Sequence, residues 1–157
     1  MVSIMDDNNL YNIALKKSMA LCAGREYCCG DMRRKLISWD ISETDAERII
    51  EHLCREKFID EDRYALAFVK DKFRYNKWGR IKTGFALRRK NIPEEKISKA
   101  LKSIDDDTYL SVLRDLLADH RKKIKAKNQY DLNGKLLRYG LSKGFESHLI
   151  YEIINAM

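Results

Sequence analysis

Apolar residues recur along this chain at three- and four-residue steps, and the steps are interrupted by short polar breaks. Leu10, Ile13, Ala14 and Leu21 mark a first helix, which GREYCCG (24–30) interrupts. Met32, Leu36 and Trp39 continue as a second helix, ended near Asp40. Ser42 then fits an N-cap, with Asp45 three residues on where a carboxylate favours the helix dipole. Ala46, Ile49, Ile50 and Leu53 give a third apolar face. The same sequence of events follows twice more. Asp60 can cap a helix with Tyr64, Phe68 and, less regularly, Phe73. Trp78-Gly79 opens a helix with Ile81, Phe85 and Leu87. Pro93 suits the first turn of one bearing Ile97, Ala100 and Leu101. In the last third, Leu110, Leu113, Leu117 and Ile124, then Leu132, Leu136 and Leu137, then Leu149, Ile150, Ile153 and Ile154 mark three further helices.

Three segments align across this pattern: WDISETDAERII (39–50), KNIPEEKISKAL (90–101) and KGFESHLIYEII (143–154). Each has an apolar anchor after a turn, Ile41, Ile92 or Phe145. Ala46, Ile97 or Ile150 stands five residues on, and a further pair stands eight and nine on. The anchors are 51 and 53 residues apart. This is an internal repeat of three helices. The expected fold is therefore all-α: three tandem three-helix repeats in an elongated, curved array. The expected boundaries are a flexible N-terminus over 1–8, repeat 1 over 9–57, repeat 2 over 58–104 and repeat 3 over 105–157. One proline and seven glycines agree with a helical rather than a β-rich chain.

Charge changes the picture in the middle. The net charge is +7 in 157 residues, but residues 63–90 hold ten Lys/Arg against Asp71 alone. Residues 1–62 are net −4 and residues 91–157 net +2. Self-repulsion among ten cations points to a polyanionic or acidic partner. The block FVKDKFRYNKWGRIK (68–82) places Lys70, Arg74 and Lys77 at i, i+4 and i+7 on one side of a helix. Tyr64, Phe68 and Phe73 form the core side. Trp78, at a helix start among cations, fits either a core cap or an exposed anchor.

The residues do not spell an enzyme. His52, His120 and His148 are isolated, no phosphate-cradling glycine motif is present, and Cys28-Cys29 lacks metal-ligand spacing. No catalytic residue, cofactor or metal is expected, and no apolar run reaches membrane length. The acidic start MVSIMDDNNLYN lacks the features of a signal peptide, so a cytoplasmic protein with reduced thiols is expected.

The run FIDEDRYALAFVKDKFRYNKWGRIKTGFALRRKNI (58–92) resembles the central signature of the bacterial RecX regulatory proteins. The matching positions are Asp60 to Asp62, Arg63-Tyr64-Ala65, Ala67-Phe68-Val69, Gly79 with Ile81, and Leu87 to Ile92. Arg25-Glu26 and Met32-Arg33-Arg34-Lys35-Leu36 resemble the family in the first repeat. The departures are cysteine where serine often stands at 28 or 29, Asn91 for the usual turn glycine, and Gly84 inside a helix, at about 1 kcal/mol. The resemblance implies three tandem three-helix repeats and no catalytic residue. It also implies a protein that binds the RecA filament on single-stranded DNA and inhibits RecA ATPase, strand-exchange and co-protease activities, in recombination, DNA repair and the SOS response. Expected partner-binding residues are Lys70, Arg74, Lys77, Trp78, Arg80, Lys82, Arg88 and Arg89, with weak non-specific DNA contacts, no membrane and a monomeric state. The alternative is a helical DNA-binding module or transcription regulator acting independently of RecA.

Overall fold

A computed structural model describes residues 4–157, with side chains from residue 8 on. The described residues form nine α-helices in three sets of three. The first set is α1 (Ile4–Gly24), α2 (Cys29–Ser38) and α3 (Glu43–Arg55). The second is α4 (Glu61–Asp71), α5 (Arg80–Arg89) and α6 (Glu94–Leu101), with a π-helical turn (Lys72–Asn76) after α4. The third is α7 (Asp106–Lys123), α8 (Gln129–Ser142) and α9 (Ser147–Asn155). No strand occurs among the described residues. Of the segment 1–8, residues 1–3 lie outside the described residues and 4–8 belong to α1.

Local chemistry accounts for where these helices start. Ser42 Oγ accepts from the Asp45 amide, Asp105 from Thr108, Asn128 from Asp131, and Asp60 from Asp62 and Arg63. Each bond satisfies an amide that has no intrahelical acceptor. At α2 the cap is a thiol: Cys28 Sγ accepts from the Asp31 amide at 3.5 Å, where a serine hydroxyl would serve. Pro93 stands at the N-cap of α6 rather than inside its first turn.

The repeat has a backbone signature. The residue before each anchor is left-handed: Asp40 before Ile41 (φ 62°), Asn91 before Ile92 (φ 61°) and Gly144 before Phe145 (φ 90°). In the first and third repeats the anchor amide reaches back five residues, Ile41 to the Leu36 carbonyl and Phe145 to that of Gly140, both at 3.1 Å. This is the hydrogen bonding of a Schellman helix end. All three anchors are buried, and so are Ala46, Ile97 and Ile150 five residues later.

The chain divides into two compact units, Met1–Ala67 with Lys90–Ile92, and Phe68–Arg89 with Pro93–Met157. The first has a core of Met32, Leu36, Ala46, Ile49 and Leu53, all without solvent exposure, closed by Ala14, Tyr27, Ile41 and Ile59. Met32, Leu36, Ile49 and Leu53 each contribute about 1.5–3 kcal/mol by burial. Leu10 and Ile13, expected on the buried face of α1, are 42% and 47% exposed. The inner line of α1 is Ala14 and Ser18, because small side chains let the helix approach. Ser18 Oγ is satisfied by the Leu15 carbonyl at 2.8 Å. In this unit Lys90 Nζ bonds both oxygens of Asp31 at 3.1 Å, and Arg63 bonds Glu26 and the carbonyls of Lys57 and Phe58.

The second unit has a core of Tyr109, Leu113, Leu117, Leu136, Phe145 and Ile150. Its tightest approach is between backbones. The Gly79 amide donates to the Lys143 carbonyl at 2.7 Å, and the Ile81 amide to that of Gly144 at 3.0 Å.

Candidate partner-binding surface

The basic block lies in the second unit, on the end of α4, the π-helical turn and α5. Its shape depends on that turn. In unbroken α register, Tyr75 would follow Phe68 by seven residues on the core side, and Phe73, five residues after Phe68, would turn away. The π turn adds a residue and reverses the outcome. Phe73 is half-buried and stacks on Tyr109 at 5.9 Å between centroids, while Tyr75 is 71% exposed. The turn ends at Lys77, which is left-handed (φ 56°), and the Lys72 carbonyl accepts from both the Lys77 and Trp78 amides. Lys77 therefore stands outside any helix, and the expected stripe of Lys70, Arg74 and Lys77 breaks there.

Two cations gather on Trp78. The ammonium groups of Lys72 and Lys82 each lie 4.8 Å from its half-buried ring. That is cation–π distance. Lys82 Nζ also donates to the Ser142 carbonyl at 3.2 Å, and Lys143 Nζ to the Asn76 carbonyl at 2.6 Å. Burial, with Lys82 nearby, lowers the Lys143 pKa.

Arg80 points into the fold. Its guanidinium sits 4.1 Å over the Tyr109 ring and donates to the Ile104 carbonyl and Asp106, both at 2.9 Å. The Arg80 amide donates to the Tyr109 hydroxyl at 2.9 Å, and that hydroxyl donates to Glu146. Burial and the Glu146 hydrogen bond raise the Tyr109 pKa, so the hydroxyl stays protonated. Arg88 pairs with Glu94. Among the described residues, Lys70, Arg74, Lys77 and Arg89 are exposed and make no ion pair.

The outer face of α5 differs from expectation. Ile81 and Phe85 are 55% and 58% exposed, while Thr83, Gly84 and Leu87 are buried. Small residues form much of the inner line here, and Leu101 packs over it: a Cβ on Gly84 would meet Leu101 Cδ1 at 3.4 Å, an ordinary contact. The outer face thus combines two apolar side chains with cations, the Arg89 guanidinium lying 6.0 Å from the Phe85 ring. The Arg74 guanidinium lies 5.3 Å from the Tyr75 ring. Periodicity alone missed Tyr75, Ile81 and Phe85 as surface residues. The five-residue step from Phe68 to Phe73 was the signal for Tyr75.

The family model for the second three-helix domain of RecX matches residues 60–101, the span that contains this surface. A regulatory protein RecX of Clostridium acetobutylicum is 30% identical over 158 residues, covering 96% of this chain and 71% of that protein. The chain belongs to the RecX family. The regulatory protein RecX of Clostridium beijerinckii is 32% identical over 126 residues, and there the match covers 79% of this chain and 58% of the relative. The chain thus spans little more than half the length of that RecX protein. A crystal structure of regulatory protein RecX superposes with a TM-score of 0.86 at 21% identity, covering 96% of this chain and 74% of that one. RecX from Lactobacillus salivarius superposes at 0.81 with 20% identity, covering 95% and 97%. These structures share the tandem three-helix fold. No described helix is long and apolar enough to cross a membrane.

Proposed function

We propose that this chain modulates RecA: it binds the filament that RecA forms on single-stranded DNA and lowers its ATPase, strand-exchange and co-protease activities. The observation that carries this reading is the coincidence of two spans. The unpaired cations of the basic block fall inside the residues that match the second RecX domain. On this reading the protein acts as a cytoplasmic monomer without chemistry of its own. It binds one filament state better than another and shifts that equilibrium by mass action. The contacting groups are Lys70, Arg74, Lys77 and Arg89, with Tyr75 and Phe85 as anchors. Trp78 and Lys82 hold the surface in shape, and Arg80 and Arg88 are committed to Asp106 and Glu94.

The test is the DNA-dependent ATPase rate of the cognate RecA, titrated with this protein at several salt concentrations and with DNA in excess. Inhibition well below one protein per RecA protomer is expected. No inhibition, with tight binding to free DNA whose log K falls steeply with log salt, would replace this reading by a DNA-binding module independent of RecA.

A further inference from the structure

All four cysteines are free thiols, and two of them face each other. Cys29 opens α2, Cys54 lies in the last turn of α3, and their sulfurs are 3.8 Å apart in the first unit. Cys54 is exposed to solvent and Cys29 is half-buried. We infer that Cys29 and Cys54 form an oxidisable dithiol, which a hydroperoxide closes to a disulfide within the chain.

The surroundings select this pair. Cys28 is fully buried and its sulfur is occupied as the cap of α2, accepting from the Asp31 amide. Cys22 is half-buried. Cys54 is the one exposed thiol of the four, and the sulfur it touches is that of Cys29. A disulfide requires about 2.05 Å between sulfurs, so closure takes a shift of about 2 Å. The end of α3 can supply it, since terminal helical turns fray readily.

The chemistry balances in two steps. The Cys54 thiolate attacks the peroxide, the O–O bond breaks, and Cys54 becomes a sulfenic acid as hydroxide leaves. Cys29 sulfur then attacks the Cys54 sulfur, and the hydroxyl leaves as water with the Cys29 proton. Two electrons pass from the two sulfurs to one peroxide. Burial, with Glu61 and Cys54 adjacent, pushes the Cys29 thiol up to about 12. Cys29 is thereby kept protonated, which leaves the first attack to Cys54.

The bond would tie together a junction of the unit. The Cys29 amide donates to Glu61 Oε2 at 3.2 Å, so the first residue of α2 already holds the first turn of α4. Closing the dithiol adds the last turn of α3 to that contact.

The experiment is to treat the reduced full chain with hydrogen peroxide, quench with an alkylating agent, count thiols and map peptides. Two of the four thiols should vanish together, with a crosslinked peptide joining Cys29 to Cys54 in a monomeric chain. A reductant should restore both. The oxidised chain should melt roughly 5–10 °C higher. Cys54→Ser should keep its three thiols at the same dose, and Cys22→Ser should still form the crosslink. Any of the following would overturn the inference: oxygen adducts on Cys54 with Cys29 still alkylated, a bond from Cys22 to Cys54, a disulfide between chains, or no reaction.

Discussion

Gly79 and Gly144 meet backbone to backbone in the second unit. A Cβ built on Gly79 would stand 2.3 Å from the Gly144 carbonyl oxygen, and one on Gly144 would stand 2.2 Å from Lys82 Cβ. Neither obstacle is a flexible side-chain tip. Gly79→Ala should therefore destabilise the protein by roughly 2–4 kcal/mol, at or beyond the upper end of ordinary overpacking. Gly144→Ala adds the strain of a left-handed position. Gly84→Ala should have the opposite sign. Its Cβ meets only ordinary contacts, and alanine removes a helix penalty of about 0.5–1 kcal/mol. Urea unfolding of the three variants checks the order, and an equal effect at 79 and 84 would refute it.

Tyr109 joins α5 to the turn before α9 through one hydroxyl. Tyr109→Phe keeps the ring between Phe73 and Phe145 but removes both the acceptor for the Arg80 amide and the donor to Glu146. A loss of about 1–3 kcal/mol is expected from the groups left unpaired. Its checks are the urea midpoint and the amide exchange rate at Arg80, which should rise in the variant.

Asp31 gives the first unit a dependence on pH. Burial pushes its carboxyl up, but the Lys90 hydrogen bonds, the Cys28 contact and Arg34 outweigh burial, and its pKa is lowered. A lowered folded pKa means that the unfolded chain binds the proton first as pH falls. The contribution to stability is complete above the ordinary carboxylate range and is lost on acidification through the folded pKa. Asp31→Asn should therefore be less stable at neutral pH, with the gap to the parent closing below about pH 4. Melting temperatures between pH 7 and pH 3 follow this, and a constant gap would contradict it.

On the proposed binding surface, Arg74→Glu with Lys77→Glu should weaken inhibition of RecA by roughly tenfold or more, about 1.4 kcal/mol in binding. Both side chains are exposed and unpaired, so stability should change by only about 0.5 kcal/mol. Arg80→Ala is the contrast. It abandons Asp106, the Ile104 carbonyl and the Tyr109 ring, so its first effect should be on the urea midpoint. Retained inhibition by the double variant would move the binding surface elsewhere.

Much of the fold was legible because each repeat writes the same local chemistry. Ser42 and Asp60 cap helices, and the anchors Ile41, Ile92 and Phe145 are buried. Asn91, in place of the usual turn glycine, is left-handed as its residue type allows. Asp40 gave no such signal, although it has nearly the same φ. The surface was less legible. Hydropathy says that α5 carries Ile81, Phe85 and Leu87, but not which side meets a neighbour. Thr83 and Gly84 settle that by their small size. The π turn depends on tertiary packing of Phe73 against Tyr109, which local periodicity does not contain.

The π turn sets a rule for variation among chains of this kind. What it must conserve is a residue count. Five positions carry the backbone from the end of α4 to the left-handed Lys77, and that number turns Phe73 inward and delivers Gly79 to the Lys143 carbonyl. Arg74 and Tyr75 point outward, so the fold leaves their identity to the partner. Losing one residue would convert the π turn into an α turn and shorten the path that delivers Gly79 to the Lys143 carbonyl. The fold should therefore tolerate substitutions at 74–76, where the partner is the constraint, while insertions and deletions between Phe68 and Gly79 are purged.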